Sequence, residues 1–147
     1  MMTVIAPARP VKILLAEDDD GDAKAVRRAF DRAGIPAAII RAIDGLEALH
    51  ILRGEEGLAR IEPPFIVLTD LNMPRMNGID LLRTMRADPR LRGHVVFLLT
   101  TSSREEDKLL AYDLNVCGYM VKTKITENSG DLTSLLLAYW NRVELPS

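Results

Sequence analysis

Cysteine is almost missing from this sequence. Cys117 stands alone among 147 residues, so no disulfide can close within the chain and a cysteine-rich zinc site is excluded. That scarcity fits a reducing compartment. Long apolar runs are missing as well. The longest are residues 65–68, 95–99 and 135–140, far short of the ~20 residues of a membrane span. Residues 1–10 are apolar and dotted with proline, yet lack the core of about 7–15 residues that marks a signal peptide. They read as a disordered tail ahead of one domain over residues 11–147. Excess charge of one sign is absent too: the net charge of −2 gives no electrostatic reason to expect nucleic acid. A cytoplasmic protein without membrane or nucleic-acid partners is expected. The length suits one domain, and 48% hydrophobic residues supply a core that needs no structural metal.

What is present is an alternation. Residues 11–16 form a compact β-rich run that ends abruptly in Glu17-Asp18-Asp19-Asp20. From Asp22 the pattern turns helical through Ala25, Val26, Ala29, Phe30 and Ala33, stopped by Gly34 and Pro36. Residues 38–43, 65–69, 95–99 and 119–121 are further strands. Helices are predicted after Asp44-Gly45 and over residues 79–86, 104–114 and about 132–143. The glycines and the Pro63-Pro64 pair make residues 53–64 a loop. Five repeats of strand and helix predict a parallel sheet wound on both faces, its short strands buried on both sides.

In such a sheet, ligands bind beyond the carboxyl ends of the strands. There the first strand delivers Glu17 and Asp18, the third Asp70, the fourth Thr100 and Thr101, and the fifth Lys122. Carboxylates held close together must take up protons or a cation. Oxygen ligands without histidine or thiol suit magnesium and argue against zinc or copper. A carboxylate beside magnesium can attack phosphorus, with the metal and a lysine neutralising charge.

Each residue alone has a plainer reading. Glu17 to Asp20 could cap the first helix, Thr100 could be an ordinary strand former, Lys122 a solvated lysine, and Tyr119 a packed core aromatic. Asp70 is harder to dismiss, because an acid directly after four apolar residues needs a partner. His50 and His94 fall away from the acidic rim, and Cys117 reads as a small buried residue. In the last helix, Leu132, Leu135, Leu136, Tyr139 and Val143 share one face. Leu137 and Trp140 fall outside it, so either the core contact is broad or a partner surface is present.

Four segments carry a resemblance: Ile-Leu-Leu-Ala-Glu-Asp-Asp at 13–19, Leu-Thr-Asp-Leu-Asn-Met-Pro at 68–74 with Asn77-Gly78, Leu-Leu-Thr-Thr-Ser at 98–102, and Gly-Tyr-Met-Val-Lys at 118–122. In this order and spacing the chain resembles a two-component response-regulator receiver over residues 11–143. The resemblance implies a flavodoxin-like α/β fold with strand order 2-1-3-4-5 and five helices. It implies a phosphoprotein served by a sensor histidine kinase, which assists its own phosphorylation and dephosphorylation and is not an enzyme in the usual sense. Asp70 would be the phosphoacceptor. Glu17, Asp18, Asp70 and the Asn72 carbonyl would hold Mg2+. Thr100 and Tyr119 would be the switch, Lys122 the phosphoryl-binding cation, and Asn72 and Ser102 the residues that tune dephosphorylation.

One departure stands out: receivers usually follow this lysine with a cis-linked proline, and here Thr123 follows Lys122. A cis bond to a non-proline costs about 2.5–4 kcal/mol, so either the bond is trans and the next loop is rearranged, or strain is stored there. A narrower likeness links the chain to the stand-alone receivers that partner bacterial phytochromes. It rests on the 53–64 loop, Thr-Thr-Ser after the fourth strand, the missing proline and the end from Trp140 to Pro146. That likeness implies a tendency to dimerise; joined with the apolar surface of Leu137 and Trp140, it leads to the expectation of a homodimer through the fourth and fifth helices and the fifth strand, with those two residues at the interface. Two rivals remain: a haloacid-dehalogenase-type phosphatase, which needs a second aspartate where Asn72 stands, and a receiver-like module that binds without phosphotransfer.

Overall fold

The apolar runs become strands, and their ends fix where the polar residues go. The computed structural model describes residues 9–123 and 129–147. Most of the tail expected over residues 1–10 therefore lies outside the described residues. The chain runs β1 (Val11–Ala16), α1 (Asp20–Ala33), β2 (Ala37–Ala42), α2 (Gly45–Arg53), β3 (Ile66–Thr69), α3 (Gly78–Ala87), β4 (Val95–Thr100), α4 (Glu105–Asp113), β5 (Gly118–Val121) and α5 (Ser129–Arg142). The five strands form one sheet in the order β2-β1-β3-β4-β5, with every neighbouring pair parallel. This is the flavodoxin-like architecture expected from the sequence, with five helices among the described residues.

Helix starts follow local chemistry. Asp19, Asp44 and Asn77 each accept a backbone N–H three residues on, closing the first turns of α1, α2 and α3, as short polar side chains do at an N-cap. Helices α1 and α2 end at Gly34 and Gly54, both in the left-handed region with φ of 68° and 69°, which glycine adopts without penalty.

Two apolar clusters cover the sheet's two faces. One joins Leu14, Val67 and Leu98 to Leu49 and Leu52 of α2 and Leu81 and Leu82 of α3. The other joins Ile13, Leu15, Ile66 and Phe97 to Val26 and Phe30 of α1 and Leu132 and Leu136 of α5. Burial on both sides holds for the inner strands; β3 is buried throughout. The edge strand β2 instead alternates, with Ile40 38% exposed, because at the sheet's edge α1 and α2 cover its two faces only in part.

Helix α5 corrects the expected face. Leu132, Leu136 and Leu137 are buried and Leu135 is exposed. Leu137, expected at an interface, therefore belongs to this chain's own core. Trp140 is half-buried against the same cluster, with the Arg9 guanidinium 5.7 Å from its ring centre. Cys117, expected to be buried, is exposed and accepts from the Tyr139 hydroxyl at 3.6 Å. His94 packs on Phe65, ring centres 4.3 Å apart, and burial holds its pKa below the usual value.

Candidate functional site

Strand register builds the site. The sheet order reverses between β1 and β3, where Ala16 lies opposite Thr69 and Asp70 N–H donates to Ala16 O at 2.9 Å. Glu17 and Asp70, each one residue past that pair, are therefore neighbours. Thr100 lies opposite Val121, so Lys122 emerges one residue beyond the buried Thr100.

The loop from Asp70 to Gly78 is held beneath the site. Gly78 N–H donates to Leu71 O at 2.8 Å, and a Cβ at residue 78 would sit 2.2 Å from Asp70 O, so only glycine allows that approach. Arg75, at a left-handed φ of 65°, pairs with the buried Asp44 at 2.5 Å and ties the loop to the start of α2.

Glu17, Asp18 and Asp70 offer carboxylate oxygens all within 4.8 Å of one another. Lys122 reaches across this group: its Nζ lies 2.6 Å from Glu17 Oε1, 2.7 Å from Asp22 Oδ2 and 2.9 Å from Asp70 Oδ2. Asp70 Oδ1 accepts from Leu71 N–H at 2.6 Å and from Asn72 N–H at 3.4 Å. Burial foremost, with the Asp70 charge, pushes the Glu17 carboxyl up to about 7 against the pull of Lys122. Burial opposes the Lys122 charge, but the hydrogen bonds to Asp22, Glu17 and Asp70 outweigh it and raise its pKa.

This arrangement makes stability depend on pH. An acid whose pKa is raised from 4.5 to about 7 on folding binds its proton more tightly in the native state. Its contribution is full below 4.5 and is lost as pH climbs through about 7. In buffer without divalent cations, the stability difference between wild type and Glu17→Gln should shift by about 2 kcal/mol between pH 5.5 and pH 8. Urea unfolding checks this. The difference is the useful quantity because His94, held low, favours the fold at the higher pH instead.

The switch candidates meet at Ser102. Its N–H donates to Thr100 Oγ1 at 3.3 Å, its carbonyl accepts from Tyr119 Oη at 2.9 Å, and its hydroxyl donates to Asp107 Oδ2 at 2.5 Å. Thr101 and Asn72 are exposed. Among the described residues the cis peptide is Pro63-Pro64, so Lys122-Thr123 is trans. Both residues are already helical, and the rearrangement expected with a trans bond concerns the loop that follows them. Residues 124–128, the rest of that loop, lie outside the described residues.

Two contributors escaped the sequence reading. Asp22 enters there only as the point where the helical pattern begins, and Arg41 is not singled out. Arg41 Nε donates to Glu17 O at 3.0 Å and steadies the β1–α1 loop. No sequence signal marked either, since both contacts are made across elements.

The clustered carboxylates of Glu17, Asp18 and Asp70 suit a hard divalent cation, and the described residues at this rim include no histidine or thiol. Comparison with known proteins agrees. The response regulator receiver domain family matches residues 13–130. The probable methanogenesis regulatory protein FilR2 of Methanothrix harundinacea is 35% identical over 137 residues, covering 93% of this chain and 88% of that protein. Response regulator Rcp1 of Synechocystis sp. is 30% identical, covering 94% and 95%, and its Mn(2+)-bound structure superposes with a TM-score of 0.78. The phosphorylated cyanobacterial phytochrome response regulator RcpA superposes at 0.83, with 31% identity over 95% of this chain and all of that one. This chain belongs to the response regulator receiver domain family.

Proposed function

We propose that Asp70 accepts a phosphoryl group from the phosphohistidine of a sensor histidine kinase. A carboxylate oxygen of Asp70 attacks phosphorus, the phosphorus–nitrogen bond breaks, and the imidazole leaves with the bonding electrons. The observation that carries this reading is the meeting of Glu17, Asp18 and Asp70 within 4.8 Å under a lysine that touches two of them. Glu17, Asp18, Asp70 and the Asn72 carbonyl would hold Mg2+. That ion, when bound, balances charge on the transferring group. Lys122 adds a second positive charge aimed at the same place.

Thr100 and Tyr119 are then the response. Both are tied to Ser102, so drawing the Thr100 hydroxyl toward a phosphoryl oxygen would pull on the β4–α4 loop and release the tyrosine. A local charge change would thereby bias a two-state surface. Asn72 and Ser102 would tune the loss of the phosphoryl group, a reading supported by the nearness of Asn72 to Asp70 and by the hold of Ser102 on the β4–α4 loop.

The name of the phytochrome response regulator RcpA supports a phytochrome-type kinase as partner. Exposed Leu109, Tyr112 and Leu135, at 60%, 52% and 43%, support a homodimer through α4, β5 and α5, with half-buried Trp140 at its margin. No helix among the described residues is long and apolar enough to cross a membrane, and we read the domain as cytoplasmic. As a phosphoacceptor it assists its own chemistry and turns over no separate substrate.

The test is incubation with acetyl phosphate and Mg2+ followed by intact-mass and peptide-mass measurement. One phosphoryl group on the peptide containing Asp70 is expected. No added mass, or addition that persists with EDTA, would overturn the reading.

A further inference from the structure

One carboxylate that grips Lys122 has no part in the proposed cation cluster. Asp22, in the first turn of α1, accepts from Lys122 Nζ at 2.7 Å, as tightly as Glu17 and more tightly than Asp70. An ammonium has three protons to share among its acceptors. The carboxylates that converge are Glu17, Asp18 and Asp70; Asp22 lies outside that group. Its side chain is 45% exposed, against 4% for Glu17 and 9% for Asp70.

The three acceptors therefore face different fates. Glu17 and Asp70 would share their charge balance with a bound divalent cation, which would leave Asp22 to Lys122. A phosphoryl group on Asp70 brings further negative charge and demands the same ammonium. Lys122 sits at the end of β5, so it can serve both only by sharing its protons.

We propose that Asp22 is a positioning residue that competes with the phosphoryl group for Lys122 and so restrains phosphorylation of the site. This rests on the reading of Asp70 as phosphoacceptor. The restraint is modest, because water can replace the ammonium at a half-exposed carboxylate. Asp22→Asn keeps the side chain's size and one acceptor oxygen while removing the competing charge. Helix α1 is not endangered, since its cap is the Asp22 backbone N–H on Asp19.

The experiment uses the full chain with Mg2+ and beryllofluoride as phosphoryl mimic, read by calorimetry, alongside the rate of phosphoryl uptake from acetyl phosphate. Asp22→Asn is expected to bind beryllofluoride about two- to fivefold more tightly and to gain the phosphoryl group faster by a similar factor. Mg2+ affinity should stay at the wild-type value, and Asp22→Glu, which restores the charge, should return toward wild type. Asp20→Asn removes equal charge from the same turn, but Asp20 pairs with Arg41 at 2.6 Å, so wild-type affinity is expected there.

Equal or weaker beryllofluoride binding by Asp22→Asn would overturn the proposal. So would an equal gain from Asp20→Asn, which would reveal a general charge effect. If wild type itself neither binds the mimic nor takes up a phosphoryl group, the reading of Asp70 falls, and this inference with it.

Discussion

Asp70→Asn protein should take up no phosphoryl group from acetyl phosphate while keeping its fold. The amide nitrogen of asparagine carries no free anionic charge, and its oxygen is a far weaker nucleophile than a carboxylate, so the attacking group is lost outright. The fold should tolerate the change. Asp70 is held by Leu71 N–H at 2.6 Å and by Lys122 at 2.9 Å, and an amide can satisfy only one of these with its oxygen. One hydrogen bond is lost, which costs about 1 kcal/mol. Against this, the crowding of Glu17 by the Asp70 charge is relieved. Wild type and Asp70→Asn should therefore unfold within about 1 kcal/mol of each other. Phosphoryl uptake by Asp70→Asn at a comparable rate would place the acceptor elsewhere. A large loss of stability would mean that Asp70 holds the rim together in a way its contacts do not reveal.

The residues most legible in the sequence were those that strand geometry places. Glu17, Asp18, Asp70 and Lys122 each follow an apolar run that has to be a buried strand, so their side chains have to appear at one rim once the strands are parallel. That argument needs only the order of the elements. Asp22 and Arg41 had no such marker. An acid in a helical first turn and an arginine at a strand end look like ordinary surface charge until the neighbouring elements are in place. Helix α5 shows the same limit for apolar residues. Leu132, Leu135, Leu136, Leu137 and Tyr139 wrap more than one face, and periodicity alone does not choose among overlapping stripes. Packing against Phe97 and α1 chose the one with Leu136 and Leu137 and left Leu135 outside. The trans Lys122-Thr123 bond was left open by the sequence because the residue types permit either geometry at different cost.

Lys122→Met should be the most costly substitution at the rim, and its cost should depend on pH and on divalent cation. Methionine keeps the apolar stem, so the change isolates the charge. Lys122 is 12% exposed and lies against Glu17 and Asp70, themselves nearly closed to solvent. Removing one member of such a group leaves buried carboxylates unbalanced and costs about 3–5 kcal/mol. Glu17 already holds its proton up to about 7 with Lys122 present, and without the lysine it should hold it higher still. At pH 5.5 it is then protonated and the penalty falls to less than half; at pH 8 in EDTA the penalty is full. Millimolar Mg2+ at pH 8 should restore much of the stability, since the ion would balance Glu17, Asp18 and Asp70 in place of the ammonium. Restored stability should not restore chemistry. With one of two charge-balancing groups gone, phosphoryl uptake in Mg2+ should be slower by about 10²–10³-fold. Urea melts at the two pH values, with and without Mg2+, read the first effect, and the acetyl phosphate rate reads the second. A penalty equal at both pH values and indifferent to Mg2+ would mean that Lys122 acts on the fold through packing, and the carboxylates would then need another source of charge balance.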